Sequence, residues 1–200
     1  MIDKIRRMFF IHVDLYCNYL QEMKLFREKE LGNYAFTIVD GTTGIDKLKL
    51  LVSERGEKFR QVVVERLRSG NFMCFCFIEK SSGKAAYSRW LRKGSFYHDR
   101  FKETIQLAAD EAFTMDSYTP IEFRGKGLHK EMNKRMLNYC KKELKISKVY
   151  MIIFRGKMFV HLHKTVLELG YRRIRSRFYF KTDLFVKIKR RIRKTNAGIS

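Results

Sequence analysis

The densest run of chemically useful residues is Thr119–Lys130, T-P-I-E-F-R-G-K-G-L-H-K. Within it, Arg124-Gly125-Lys126-Gly127 interleaves cations with glycines. The glycines let the backbone turn tightly and approach a ligand closely. A helix is predicted from Gly127, and the first amides of a helix are unpaired donors with partial positive charge. Lys126 and Lys130 add full charges. Amides, dipole and cations converging on one point make a cradle for a pyrophosphate. The run is not a P-loop, because G-x-x-x-x-G-K-[ST] is absent, and not G-x-G-x-x-G, because residue 130 is Lys.

A near-repeat of the turn follows at Phe154-Arg155-Gly156-Lys157, without a further glycine. It too is expected between a strand and a helix. The cysteines, Cys17, Cys74, Cys76 and Cys140, form no C-x-x-C pair. Cys74 and Cys76 lie two apart in Phe72–Ile78, hence on one face of an expected strand, where they read as small buried apolar residues. Free thiols and no disulfide are expected, as in a reducing compartment. His161 and His163, at i and i+2, face apart on a helix and read as structural.

The elements that must position the turn can be read from periodicity. Ile2, Ile5, Phe9, Val13, Tyr16, Leu20 and Met23 recur at steps of three or four, the seam of an N-terminal helix packed on the domain; the alternative is a strand over Val13–Leu20. Asn33–Asp40 reads as a strand. Asp46–Ser69 reads as helix, split at Gly56. Phe72–Glu79 and Ala85–Leu91 form a hairpin across Ser81–Lys84. Glu111–Thr119 is a strand and Gly127–Leu144 a helix. Val149–Phe154 is an unbroken apolar run, expected to be covered on both faces. Met158–Leu169 is a helix stopped by Gly170, and Tyr171–Phe180 and Leu184–Ile188 are final strands. The expected fold class is α/β or α+β, a mixed sheet packed by helices. Residues 1–31 are read as an N-terminal extension, 32–184 as the catalytic-type domain and 185–200 as a basic tail.

The chain has 200 residues, with 43 Lys+Arg against 21 Asp+Glu, a formal net charge of +22. That excess points to polyanionic partners and says nothing of the fold. An apolar share of 45% excludes wholesale disorder. Met1–Phe10 carries Asp3, Lys4, Arg6 and Arg7 and does not read as a secretory signal. No apolar window is long enough for a membrane span. A cytoplasmic chain is expected, with peripheral membrane association as an extension of that reading. No metal site is expected.

The order strand, E-F-R-G-K-G-L, helix, strand, helix, G-Y resembles the GNAT acyltransferase superfamily, whose Q/R-x-x-G-x-G/A pattern is matched here by Arg124-x-x-Gly127-x-His129. The resemblance spans Tyr34–Phe180 in element order and is motif-specific over Ser117–Tyr171. It implies a mixed sheet splayed between its fourth and fifth strands, with acetyl-CoA or another acyl-CoA in the gap. By the same resemblance, Ser117, Tyr118 and Thr119 offer backbone groups to the pantetheine arm. Arg124, Gly125, Lys126, Gly127, Leu128, His129 and Lys130 hold the pyrophosphate, mainly through backbone N–H. His129 replaces a small residue, so it crowds the phosphate or donates to it when protonated. Arg155 and Lys157 would lie near the cofactor end of the sheet, in reach of an anionic substrate or the 3′-phosphate. In the family's second motif, Gly170-Tyr171 matches the usual Gly-Phe. Phe159 and Val166 stand where relatives carry Asn and the Tyr that protonates the leaving thiolate. Water is the remaining acid.

The implied reaction is N-acyl transfer by direct attack of an amine acceptor in a ternary complex. A general base must deprotonate the amine, and a backbone N–H of the fourth strand stabilises the developing oxyanion. Strand alternation puts Glu111, Phe113, Met115, Ser117 and Thr119 on one face. Glu111 is the first candidate base and Asp116 the second. Asp46–Ser69, Leu91–Lys102 and Ile174–Asp183 are the segments expected around the acceptor. Other readings of the charge are an acidic acyl-carrier protein as donor, an anionic membrane surface, and a nucleic-acid binder using the basic Tyr171–Lys194 stripe. The motif reading makes nucleic acid the least favoured of these.

Overall fold

The computed structural model describes residues 10–42, 57–98, 103–156 and 159–180. The expected helical residues Ile2, Ile5 and Phe9, the stretch 46–56, Lys157, the strand Leu184–Ile188 and the tail 185–200 lie outside these. The elements are β1 (Phe10–Tyr19), β2 (Tyr34–Val39), α1 (Glu57–Arg68), β3 (Phe72–Glu79), β4 (Ala85–Lys93), β5 (Phe96–His98), β6 (Glu103–Ile105), β7 (Glu111–Tyr118), a 3₁₀ turn (Ile121–Phe123), α2 (Leu128–Lys142), β8 (Lys148–Phe154), α3 (Val160–Glu168) and β9 (Arg172–Phe180). Seven strands form one sheet in the order β2-β3-β4-β7-β8-β1-β9, and β5-β6 form a separate hairpin. Among the described residues no helix is long and apolar enough to cross a membrane.

Strand alternation divides the core between two faces. Phe75 and Phe77 of β3 pack with Leu128, Met132, Met136, Leu137 and Cys140 of α2. Phe72, Cys74 and Cys76 pack with Val63 and Leu67 of α1 and with Trp90. Each fully buried large apolar side chain contributes about 1.5–3 kcal/mol. The cysteines are free and buried. Cys74 and Cys76 have their sulfurs 3.4 Å apart on one strand face, a contact well beyond bonding distance.

The N-terminal helix expectation is corrected. Phe10–Tyr19 is a strand paired antiparallel to both β8 and β9. Val13, Tyr16 and Leu20 are core residues. Steps of three and four with polar residues between also satisfy a strand whose two faces are both partly covered, and the sheet position decides. After β1, the chain runs along α2 without regular structure. Asn138 binds both the N–H and the C=O of Phe26 (2.9 Å each), Glu131 accepts from the Lys29 N–H (2.6 Å), and Lys141 donates to the Met23 C=O (2.6 Å). Backbone groups with no ladder partner are thus satisfied by helix side chains.

A second correction concerns β8. Val149, Met151 and Ile153 are buried, whereas Tyr150 and Ile152 alternate with them at intermediate burial. The apolar run is covered fully on one face only.

Candidate functional site

β7 and β8 are the fourth and fifth strands of the sheet, and they run parallel. Their register covers only Glu111↔Lys148 to Thr114↔Met151. Beyond Thr114 the strands splay. β7 continues to Tyr118 on β4, with a bulge: Trp90 pairs with Met115 but Ser88 pairs with Tyr118. Asp116 takes φ 52° at that bulge, a left-handed conformation uncommon for a non-glycine residue. The backbone edge of β7 facing β8 is consequently open after Thr114. That open edge is a row of donors and acceptors ready to pair with an extended ligand.

The bulge breaks the expected alternation. Glu111 and Phe113 point to the α1 side, where Phe113 meets Phe96 edge-on. Ser117 and Thr119, expected on the same face as these, instead line a cleft on the α2–α3 side. That cleft has a volume of about 420 Å³ and follows the gap. Tyr87 and Arg89 of β4, Thr114 of β7, His129 of α2, Met151 of β8, and Phe159, His161 and Val166 of the α3 segment form its walls.

At the wide end of the gap sits the basic turn. Gly125 has φ 74° and Gly127 φ 73°, conformations that favour glycine. A Cβ built on either meets no heavy atom within 4 Å, so the space outside the turn is open. Gly127 is the N-cap of α2, with no side-chain cap bond. The first helical bond runs from the Glu131 N–H to the Gly127 C=O (3.3 Å), leaving the amides before it to face outward. The exposed Arg124 donates from Nε to the Thr119 C=O (3.1 Å), bracing the turn against the end of β7. The Lys126 ammonium lies 4.9 Å from the Phe123 ring centroid, and Lys130 pairs with Glu168 of α3 at 2.7 Å. Leu128 is buried in the core, so only its backbone is available to a ligand. Open space, outward amides and flanking cations fit a pyrophosphate.

His129 departs from both of its expected roles. Its side chain turns inward and Nδ1 lies 2.9 Å from the Tyr87 hydroxyl. Burial, then the positive charges of Arg89 and His161, lower its pKa to about 3. It is a neutral wall of the cleft. Burial raises the Tyr87 pKa, against the neighbouring Arg89 charge, so the phenol stays protonated. His161 and His163 do face apart: His161 lines the cleft, while His163 contacts the Tyr16 hydroxyl at 2.7 Å.

The two candidate carboxylates are not brought into the cleft. Glu111, at the closed end of the gap, binds Lys148 (2.8 Å), the Tyr150 hydroxyl (3.0 Å) and the Ala108 N–H (3.1 Å). Burial works to raise its pKa, yet those bonds outweigh it and hold the group below its ordinary value. Asp116 is among the residues along the cleft, but its carboxylate pairs with Arg66 of α1 at 2.8 Å. That guanidinium lies 5.0 Å from the Trp90 ring, on the far face of the sheet. Arg155 is likewise directed away, to Asp14.

Tyr87 and Arg89 were missed in the sequence. The signal was there: a Tyr and an Arg at i and i+2 in the hairpin strand A-A-Y-S-R-W-L, on the face shared with Leu91. Among the described residues no group of three or more His, Cys, Asp or Glu is placed to hold a metal ion.

No protein-family model and no curated protein sequence matches the chain. Solved structures do. A tandem GNAT protein from the clavulanic acid biosynthesis pathway superposes with a TM-score of 0.59 at 9% identity, over 85% of this chain and 53% of that one. The fold is that of the GNAT proteins. A GNAT-family protein from Novosphingobium aromaticivorans gives a TM-score of 0.54 at 11% identity, over 86% and 63%. One from Colwellia psychrerythraea gives 0.54 at 12%, over 86% and 56%. The chain thus spans between about half and two thirds of the length of these GNAT chains. The mixed sheet and the splayed gap agree with the GNAT fold expected from the Thr119–Lys130 and Phe159–Tyr171 motifs.

Proposed function

We propose that the chain is an acyl-CoA-dependent N-acyltransferase, with acetyl-CoA as donor and an amine as acceptor. One observation carries this reading: the β7–β8 gap opens after Thr114 and Met151 and meets the Gly125–Gly127 turn at its wide end. The acetyltransferases that share the fold support it. In this reading the turn and the α2 N-terminus hold the pyrophosphate. The open edge of β7, at Ser117, Tyr118 and Thr119, pairs with the pantetheine amides.

Bound coenzyme A supplies an activated thioester carbonyl at the cleft. The acceptor nitrogen forms the new C–N bond as the C–S bond breaks. The amine's proton leaves to water, and the departing sulfur gains a proton. Val166 has none to give, but the Tyr87 hydroxyl across the same cleft does. Glu111 and Asp116, turned to the far face, leave deprotonation of the amine to a water chain.

Calorimetry with acetyl-CoA tests the reading directly. Binding is expected, and Gly127→Glu is expected to abolish it. No binding of acetyl-CoA to the wild type overturns the reading. Binding of an acylated acidic carrier protein instead, lost at high salt, moves the donor to that class. Tyr87→Phe is expected to lower kcat about 100-fold, the lower end of what a positioned proton donor supplies, with the donor KM little changed.

A further inference from the structure

The closed end of the cleft holds a cation with no counter-ion among the described residues. Arg89 is only 4% exposed. Its Nη2 donates to the Thr114 hydroxyl (2.6 Å) and touches the Met151 sulfur (3.9 Å). Thr114 and Met151 are the last paired residues before the strands splay, so the guanidinium sits at the vertex of the gap. Its Nε is buried and has no hydrogen-bond partner. No carboxylate pairs with Arg89 among the described residues. On the same cleft, His129 Nε2 is a second buried nitrogen without a partner.

A buried charge left unpaired is costly, and proteins seldom retain one unless something pairs with it. Thr114 fixes the guanidinium, itself held by a bond to the Tyr150 C=O (3.2 Å). A planar fork held at the vertex of the cleft matches a planar, singly charged carboxylate. A phosphate is less suited, since among the described residues Arg89 is the one Lys or Arg that lines the cleft.

We propose that Arg89 forms a carboxylate-binding subsite at the vertex of the gap, occupied by a carboxylate on the transferred acyl group or on the amine acceptor. The inference rests on the acyltransferase reading and adds a substrate class to it. A dicarboxylic acyl thioester, threaded along β7, would place its terminal carboxylate on Arg89. An amino-acid acceptor would place its own there and leave the amine free to attack.

The test uses the full chain with coenzyme A, acetyl-CoA, succinyl-CoA and free succinate, in the wild type and in Arg89→Gln, Arg89→Met and Thr114→Val. If the acyl group carries the carboxylate, succinyl-CoA binds about 10- to 100-fold more tightly than acetyl-CoA, the range for a charge-assisted pair. Arg89→Gln brings that ratio close to one, and Thr114→Val lowers it part-way. If the acceptor carries it, the two donors bind alike. The KM advantage of amino acids over their carboxamides, about 10- to 100-fold, is then the quantity lost in Arg89→Gln. Carboxylate-to-neutral ratios that do not depend on Arg89 overturn the subsite while leaving coenzyme A binding, and the acyltransferase reading, intact. If no coenzyme A species binds, that reading fails. Arg89-dependent binding of free succinate then upholds the subsite by itself, and its absence overturns both. Thermal melts control for folding. Arg89→Met is expected to keep or raise Tm by removing an unpaired buried charge; a large fall in Tm with unchanged ratios assigns Arg89 to the fold and overturns the subsite.

Discussion

Phe123-Arg124-Gly125-Lys126 and Phe154-Arg155-Gly156-Lys157 are the same four residues, the first leaving the 3₁₀ turn that follows β7 and the second leaving β8, each ahead of a helix. In the first, Gly125 is left-handed, a second left-handed glycine follows at 127, and Arg124 is an exposed brace on the Thr119 C=O. In the second, no glycine follows and Gly156 is not left-handed. Arg155 donates to the buried Asp14 at 2.7 Å, and Ser176 joins the same carboxylate at 2.5 Å. Burial pushes the Asp14 carboxyl up, but the bonds from Arg155 and Ser176 outweigh it and hold the group below its ordinary value. One turn keeps its donors facing open space, whereas the other has its cation neutralised by a neighbouring strand. A tetrapeptide therefore does not define an anion site; the elements beside it do.

The comparison breaks most sharply at the glycines. Gly127→Glu puts an L-residue at φ 73° and a carboxylate where an anion must sit. Coenzyme A affinity should fall at least about 100-fold by calorimetry, from strain of about 1–2 kcal/mol plus charge repulsion. Gly156→Ala adds a Cβ that meets only Phe159 Cδ2 at 3.8 Å, an ordinary contact. Its affinity should stay within about threefold, under about 0.7 kcal/mol. Equal losses in the two variants would erase the distinction.

Asp14→Asn is the next largest effect. Breaking a buried pair costs about 3–5 kcal/mol, and the exposure of the Arg155 side chain, 38%, reduces this to about 2 kcal/mol. The Asp14 pKa is depressed in the folded state, so its stabilisation is complete above the unfolded carboxyl pKa. It is lost as pH falls below about 4 toward the folded value. Denaturant melts should show the wild type losing its advantage over Asp14→Asn in that window, while coenzyme A binding at neutral pH is retained.

His129 sharpens the description of the first turn. Its folded pKa of about 3 lies below the ordinary 6.5, so the unfolded chain binds a proton that the folded chain refuses. Stability should fall as pH drops below 6.5, by about 1 kcal/mol between pH 7 and 5.5, and His129→Asn should flatten that slope. A His129 imidazole resonance that titrates near pH 6.5 in the folded protein would contradict the neutral, inward-facing placement.

The smallest contrast is between the arginines. Arg124→Met should weaken coenzyme A binding about two- to fivefold, a surface-charge effect of up to about 1 kcal/mol, and the loss should shrink at high salt. Arg155→Met should leave that affinity alone and lower Tm instead. Loss of affinity in Arg155→Met would return the second turn to the cofactor site.

The sequence by itself determined the order of the main-sheet strands and the helices from Tyr34 to Phe180, though not the β5–β6 pair, and the motif that names the fold. Period-two and helical spacing, turn residues and left-handed glycines are local properties, and they are legible wherever one face of an element is buried. It did not determine that Phe10–Tyr19 is a strand, because its pattern suits either period and only pairing with β8 and β9 selects one. Nor did it determine which side of the sheet each polar residue would reach. A single extra residue at the Asp116 bulge moved Ser117 and Thr119 away from Glu111 and into the cleft. Pairing with Arg66, Lys148 and Asp14 then removed Asp116, Glu111 and Arg155 from it. These outcomes rest on contacts between residues far apart in the chain, such as Arg89 with Met151 and Asp14 with Ser176. Side-chain charge is written in the sequence, but its partner is chosen only when strands from opposite ends of the chain are laid side by side.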